Sequence, residues 1–342
     1  MRVAMYYRND DVRIEKMDKP NIKNDELLVK VHSSGICGSD VMEWYRVKSA
    51  PRVLGHEIAG EIVEKGENVE KYDVNDRVFV SHHVPCNTCD FCLSGQHTLC
   101  STLHSTNFYP GGFAEFIRVP SINVDRGVFV LPENMSYDQG TFIEPLACVI
   151  RGIRTAGFSS PSSVLIIGCG VAGLLHVKLL KALGATNVIA LDINEYRLKK
   201  AKETGADFVF NAKSENLVEK IKSCNDGGLA DFVSICAGVK DAVLNGLKMV
   251  RPGGKILFFA PTSPDVTVDF PLFEMWNKQI SFFSTYAGAP VDIKESIEYI
   301  SSRVISVDDL ITHRLPMDKA PEGFKIVSQA EDSVKVIIHP QK

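Results

Sequence analysis

Two textures of apolar and polar positions divide the chain. From Met1 to about Ala147 the apolar residues fall in short, partly alternating runs, "ELLVKVHSSG", "EIAGEIVEKG" and "DRVFVSHH", separated by Gly, Asn and Asp. That pattern predicts the strands and turns of a mainly β domain. From about Ser163 unbroken apolar segments alternate with helical periodicity: "SVLIIG", "VAGLLHVKLLKALG", "NVIALDI", "EYRLKKAKETG", "DFVF". This predicts a βαβ series on a parallel sheet, which "ADFVSICAG", "VLNGLKMVRPGG" and "KILFFAP" continue. Residues 287–342 return to mixed segments and end in the strand-like "SVKVIIHP", expected to lie back against the N-terminal domain. The expected organisation is therefore residues 1–147, 148–286 and a return over 287–342.

Charge and length narrow the partners. A chain of 342 residues with a formal net charge of -4 offers no electrostatic case for nucleic acid or an anionic membrane, and small molecules are expected instead. No apolar run approaches the roughly eighteen residues of a membrane span, and the N-terminal segment does not resemble a signal peptide. A cytoplasmic location is expected.

That location changes the reading of the nine cysteines, four of which crowd into "VPCNTCDFCLSGQHTLC". A chain of this size needs no covalent staples, and in a reducing compartment a C-x2-C-x2-C-x7-C cluster points to a metal. Cys86, Cys89, Cys92 and Cys100 supply four thiolates, enough to close a tetrahedral Zn(II) site with no position for water or substrate, so the site is read as structural. An iron–sulfur cluster is the other metal reading, although its usual ligand spacings differ. His82 and His83 precede the cluster and find no coordination position in it, while Cys148 and Cys169 read as core thiols.

The α/β region carries a second motif. Gly168, Gly170 and Gly173 form G-x-G-x-x-G between an apolar strand and a helix, with Val171 and Ala172 between the last two glycines, and Asp192 closes the next strand. Gly168 suits a tight turn, Gly170 a close approach of backbone to pyrophosphate, and Gly173 close packing of helix on strand. Asp192 would accept from ribose hydroxyls and repel a 2'-phosphate, favouring NAD over NADP. Arg197 is placed for a phosphate, for stacking on adenine or for a plain helix surface. "CAG", with Ala237 at its centre, ends a strand where the nicotinamide half should lie.

A third group lies in the N-terminal domain: Cys37 in "SSGICGSD", His56 and Glu57 in "LGHEIAG", Glu144 in "FIEPLACV". Each alone has a structural reading, as a core thiol, a satisfied histidine or a helix start. Together, beside a nucleotide fold and a closed zinc lobe, they are the ligand types of a catalytic zinc.

With "GICGSD", "GHEIAGEIVEKG", the cysteine lobe, "GGFAEFIRVP", "EPLACV" and the glycine motif in view, nearly the whole chain resembles the zinc-dependent medium-chain alcohol and polyol dehydrogenases, in the sorbitol and threonine dehydrogenase branch. The resemblance implies an α/β protein in two parts, a GroES-like, mainly β catalytic domain and a Rossmann domain with a doubly wound parallel sheet, with a cleft between them. It also implies two zinc ions per chain and NAD. Cys37, His56 and either Glu57 or Glu144 would hold the catalytic zinc, and Ser39 would take or pass the substrate proton; its alternative is a local cap or turn serine. The implied activity is hydride transfer from a secondary alcohol, a polyol or sugar alcohol, to NAD, giving a ketone. Threonine or a simple alcohol is the second substrate reading. A zinc-dependent lyase or reductase with tightly held NAD, and a non-catalytic NAD-binding protein, are the other classes. By the same resemblance a homo-oligomer, dimer or tetramer, is expected. Two departures stand out: Met42 occupies the place where many relatives carry a proton-relay histidine, and the Cys37–His56 segment is short, bringing Glu43, Trp44 and Tyr45 to the pocket wall or into the packing of the lobe.

Overall fold

The computed structural model describes residues 1–342 and divides into two compact units, one of residues 1–147 with 287–342 and one of residues 148–286.

In the first unit, Leu27–Ile36 is the central strand. Leu27, Val29 and Val31 point into a core shared with Ile58, Ile62, Val78, Ile117 and Val119, and all are fully buried. Neighbouring strands cover both edges of this strand. It pairs antiparallel with Glu57–Lys65, with Phe116–Val119 and with the C-terminal strand Lys335–His339. The sheet runs Ile311–Pro316, Lys335–His339, Leu27–Ile36, Glu57–Lys65, Arg77–Val80, Val128–Val130. A second apolar cluster joins Tyr6, Ile36, Phe113, Phe324, Val336 and Ile338, so helix Ala320–Gln329 and the C-terminal strand close the core begun by the N-terminal strands.

Asp138, in the short helix Tyr137–Gly140, ties this return down. Its carboxylate accepts from Ser33 Oγ at 2.7 Å, from Arg314 Nε at 2.7 Å and pairs with His339 Nε2 at 2.8 Å. One side chain thereby links the central strand to both C-terminal strands.

The second unit is built as the alternation predicts. Its six strands are all parallel and run Phe208–Asn211, Asn187–Asp192, Ser163–Ile167, Ala230–Ile235, Val250–Phe258, Ser281–Ser284, an order that reverses direction at the first-formed strand. That is the doubly wound dinucleotide-binding arrangement. Every residue of Ser163–Ile167 is buried, as a central parallel strand covered on both faces requires. Helix Glu195–Thr204 starts on Asn194, whose side chain accepts from Arg197 N, and ends at Gly205 with φ +116°.

Burial opposes the charge on Asp138, but hydrogen bonds from His339, Ser33 and Arg314 outweigh it and hold the carboxyl well below its ordinary range. A depressed carboxyl contributes stability above the unfolded-state pKa of about 4, and that contribution is lost as the pH falls below it. Asp138→Ala is expected to destabilise this unit by about 2 kcal/mol at neutral pH. In urea melts the gap between variant and wild type should narrow under acid; a gap that widens there contradicts the assignment.

Candidate active site and metal centres

The cysteine lobe has almost no core of its own. Its buried cluster is Cys92, Cys100 and Leu103, whereas Phe91, Leu93 and Leu99 are exposed. Something other than apolar burial must hold it, and the four thiols are placed to do so: the ligand atoms of Cys86, Cys89, Cys92 and Cys100 all lie within 4.8 Å of one another. Sγ of Cys92 is 3.9 Å from Cys86 and 3.6 Å from Cys89. A tetrahedron with Zn–S bonds of about 2.3 Å has edges of about 3.8 Å, so the cluster fits zinc without rearrangement. Asn87, with φ +62°, makes the tight turn between the first two thiols. N–H groups of Thr88 and Cys89 point at Cys86 Sγ, at 3.4 and 3.2 Å, and the Thr88 side chain together with these contacts pulls the pKa of that thiol down to about 5. Arg126 anchors the lobe by donating to the carbonyls of Pro85 and Cys86.

The second group, Cys37, His56 and Glu57, also has its ligand atoms within 4.8 Å of one another. Cys37 ends the central strand and caps the turn Gly38–Val41, in which Asp40 at the third position accepts from the Cys37 N–H. Asp40 is fully buried and its other oxygen faces His56 Nδ1 at 3.4 Å and Arg46 Nη2 at 3.5 Å. Burial works against this carboxylate, but His56 and Arg46 more than compensate and hold it ionised. Burial likewise opposes a charged His56, and Asp40 reverses the effect. A carboxylate on one ring nitrogen fixes the tautomer and makes the other a better metal donor. Arg46 also donates to the Ser39 carbonyl at 2.8 Å and to Ser39 Oγ at 3.0 Å, so the Ser39 hydroxyl is held by a permanent cation rather than left as a simple turn contact.

Glu57 is buried against Lys335, and the two side chains are 1% and 0% exposed. Gly35 sits between them: a Cβ there would come within 2.5 Å of Glu57 Oε2 and 2.6 Å of Lys335 Cε. Only glycine leaves room for the pair. Glu144 lies in the first turn of helix Ile143–Thr155 and lines a small cavity with Ser81, His82 and His83.

His82 and His83 therefore stand with this group and not with the lobe. The His82 ring is 4.9 Å from His56 and 3.8 Å from His83. Sequence reasoning missed them because it asked only whether the thiolate lobe had room. It missed Asp40, Arg46 and Lys335 as well. Asp40 had a local signal, an acid three residues after the residue that caps the turn; Arg46 and Lys335 had none. Tyr45 is 47% exposed and Trp44 half-buried, so neither is a core residue. Glu43 instead accepts from the Asn9 N–H. Cys169 is buried and Cys148 only partly so.

In the second unit, the glycine loop is shaped for a dinucleotide. Gly168 has φ +100°, and a Cβ on it would meet Ala237 at 2.9 Å. A Cβ on Gly173 would lie 1.9 Å from the Gly168 carbonyl, whereas one on Gly170 would meet nothing within 4 Å. The first and third glycines are thus required by packing, and the second leaves open space at the start of helix Val171–Ala182. N–H groups near that start are the donors a pyrophosphate needs. Asp192 accepts from Cys169 N at 2.7 Å and Asn194 N at 2.9 Å, which fixes the carboxylate at the strand end. Arg197 follows in the first turn of helix Glu195–Thr204.

Comparison with known proteins agrees with both halves. Residues 23–128 match the family model described as alcohol dehydrogenase GroES-like domain, and residues 172–302 match that of zinc-binding dehydrogenase. The chain is 31% identical to a sorbitol dehydrogenase of Ovis aries over 96% of this chain and 93% of that one. It is 31% identical to an L-threonine 3-dehydrogenase of Bacillus licheniformis over 93% of each. The solved galactitol-1-phosphate dehydrogenase of Escherichia coli superposes with a TM-score of 0.87 at 27% identity, covering 99% of this chain and 100% of that one.

Removing Lys335 while keeping Glu57 strands a buried charge. Lys335→Met is expected to cost about 3–5 kcal/mol in urea unfolding, and adding Glu57→Gln should recover most of it. Equal loss in the single and double variants contradicts the pairing.

Proposed function

The chain belongs to the zinc-dependent medium-chain alcohol dehydrogenase family, in its sorbitol and threonine dehydrogenase branch, and on that premise we propose that it oxidises a secondary hydroxyl of a polyol or sugar alcohol to a ketone, with hydride passing to NAD and a proton to solvent. The observation that carries this reading is the convergence of a thiol, an imidazole and a carboxylate within 4.8 Å in a unit that also holds a separate, closed four-thiol lobe.

Cys37, His56 and either Glu57 or Glu144 are the residues to hold a catalytic zinc, and the four lobe cysteines a structural one, giving two ions per chain. When bound, the catalytic ion supplies a Lewis acid to the substrate oxygen. The chain's own groups do the rest. Asp40 orients His56, Lys335 holds Glu57, and Ser39 accepts the proton of the substrate hydroxyl. Because Arg46 already donates to Ser39 Oγ, that oxygen keeps a lone pair for the substrate and is electrostatically suited to passing its own proton on. With Met42 in place of a relay histidine, Ser39 and water complete the route. Gly168, Gly170, Val171, Ala172, Gly173 and Ala237 form the cofactor cradle, and the fixed charge of Asp192 favours NAD over NADP.

A homo-oligomer, dimer or tetramer, is part of the same proposal. Leu272, Phe273 and Trp276 are 71%, 76% and 71% exposed beside the edge strand Ser281–Ser284, an apolar and unpaired surface that a second copy would cover.

Zinc-replete protein is expected to produce NADH with a panel of polyols and butanediol, with NAD preferred over NADP. Metal analysis should find two zinc ions per chain, one in Cys37→Ser and one in Cys100→Ser, and only the first variant should lose turnover while keeping its melting transition. Turnover that survives Cys37→Ser overturns the reading; exclusive use of threonine moves it to the amino-acid branch. Trp276→Glu is expected to lower the assembly state by light scattering, and an unchanged mass removes that face from the interface.

A further inference from the structure

His82 has no role in the fold or in either metal set, yet its backbone is fixed with unusual care. Ser81 N donates to the Gly127 carbonyl at 2.7 Å, Ser81 Oγ donates to the His83 carbonyl at 2.8 Å, and Asn123 Nδ2 donates to the carbonyls of Ser81 and His82 at 2.9 and 3.0 Å. Asn123 is itself fully buried, so these bonds are shielded from water. The segment that follows strand Arg77–Val80 is thus a rigid shelf, and what it presents is an imidazole beside the His56 ring.

That imidazole is incomplete. Its Nδ1 is buried and has no hydrogen-bond partner. Buried polar atoms are nearly always paired, and the exceptions gather where a ligand supplies the missing partner. The residue lines, with Ser81, His83, Glu144, Ala147 and Ile293, a cavity of about 10 Å³. This is room for one water or one hydroxyl group, and not for a larger substituent. Ala287 on the same wall adopts a left-handed φ of +52°, so the cavity is bounded by backbone held in an uncommon conformation. The occupant's chemistry follows from the lining. An imidazole can present a ring nitrogen to a hydroxyl as hydrogen-bond donor or acceptor, and an alcohol can answer either. The nearby Glu144 carboxyl group disfavours a substrate carboxylate there.

We propose that His82 is a specificity-determining residue that hydrogen-bonds, through Nδ1, the hydroxyl on the carbon next to the reacting one, selecting vicinal diols and polyols over simple secondary alcohols. This rests on the reading of the site as an alcohol dehydrogenase centre and names the substrate feature it selects.

Butane-2,3-diol and butan-2-ol differ by the one hydroxyl in question, and His82→Phe keeps an aromatic ring while removing its nitrogens. In His82→Phe, kcat/KM for the diol is expected to fall about 10- to 100-fold while that for butan-2-ol is unchanged or rises. His82→Asn, whose amide reaches the place of Nδ1, should restore much of the preference, and His82→Gln, whose amide reaches the far ring edge, should not. The Asn and Gln pair carries the test by itself if the Phe variant folds poorly, and zinc content and melting temperature are followed in all three. Calorimetry of each butanol with zinc- and NADH-loaded protein reads the same preference without turnover. A diol-to-alcohol ratio that stays constant across the variants overturns this inference alone. Wild-type protein inert towards both compounds, and towards the wider polyol panel, overturns the underlying enzymatic reading and this inference with it.

Discussion

The buried pair of Glu57 and Lys335 is the contact on which the first unit turns. The two residues are 278 positions apart and sit on strands that flank the central strand Leu27–Ile36 on opposite sides. Their bond crosses that strand at Gly35, where no side chain intervenes. The same contact that fastens the C-terminal strand into the sheet also sets the position of a carboxylate beside Cys37 and His56. An ion pair this deep is a poor source of net stability compared with apolar packing of equal volume. What the pair supplies is geometry: the Lys335 side chain holds the Glu57 carboxylate still beside Cys37 and His56.

Charge is arranged around the site on the same logic. Asp40 is shared between Arg46 and His56, and Arg46 is shared between Asp40 and Ser39. Asp40 and Glu57, the two acids beside Cys37 and His56, thus each have a cationic partner, Arg46 and Lys335. His82 differs in being placed by backbone bonds, with one ring nitrogen unspoken for.

The fold was legible because its signals are local and periodic. Alternation named the strands, the 3.6-residue period named the helices that follow Gly168 and Asp192, and four thiols at short spacing can be read without any tertiary knowledge. The surroundings of the site were not legible for the opposite reason. Lys335 is an unremarkable lysine in "SVKVIIHP" until strand pairing brings it to Glu57, and the "HH" of "DRVFVSHH" reads as part of the approach to the cysteine lobe until the sheet places it against His56. Arg46 looks like one of several surface cations until its turn folds back on Ser39. For Lys335 and the two histidines the missing information was which strands are neighbours, which depends on residues far away in sequence; for Arg46 it was the course of one turn.

The discontinuous build of the first unit also has a consequence for how the protein is made. The strand Lys335–His339 lies inside the sheet, between Ile311–Pro316 and Leu27–Ile36, yet in chain order it follows the whole of residues 148–286. Domains tend to fold in the order in which they emerge. Residues 148–286 form a continuous stretch and can complete their parallel sheet during translation, while the N-terminal sheet waits with its central strand unpaired over Ser34–Ile36 on one edge and Glu57 without its ammonium. Until Lys335–His339 emerges, the nascent chain therefore carries a complete second unit and an open first unit, and a chain truncated ahead of Lys335 forfeits the strand that closes the sheet and with it the charge that holds Glu57 in place.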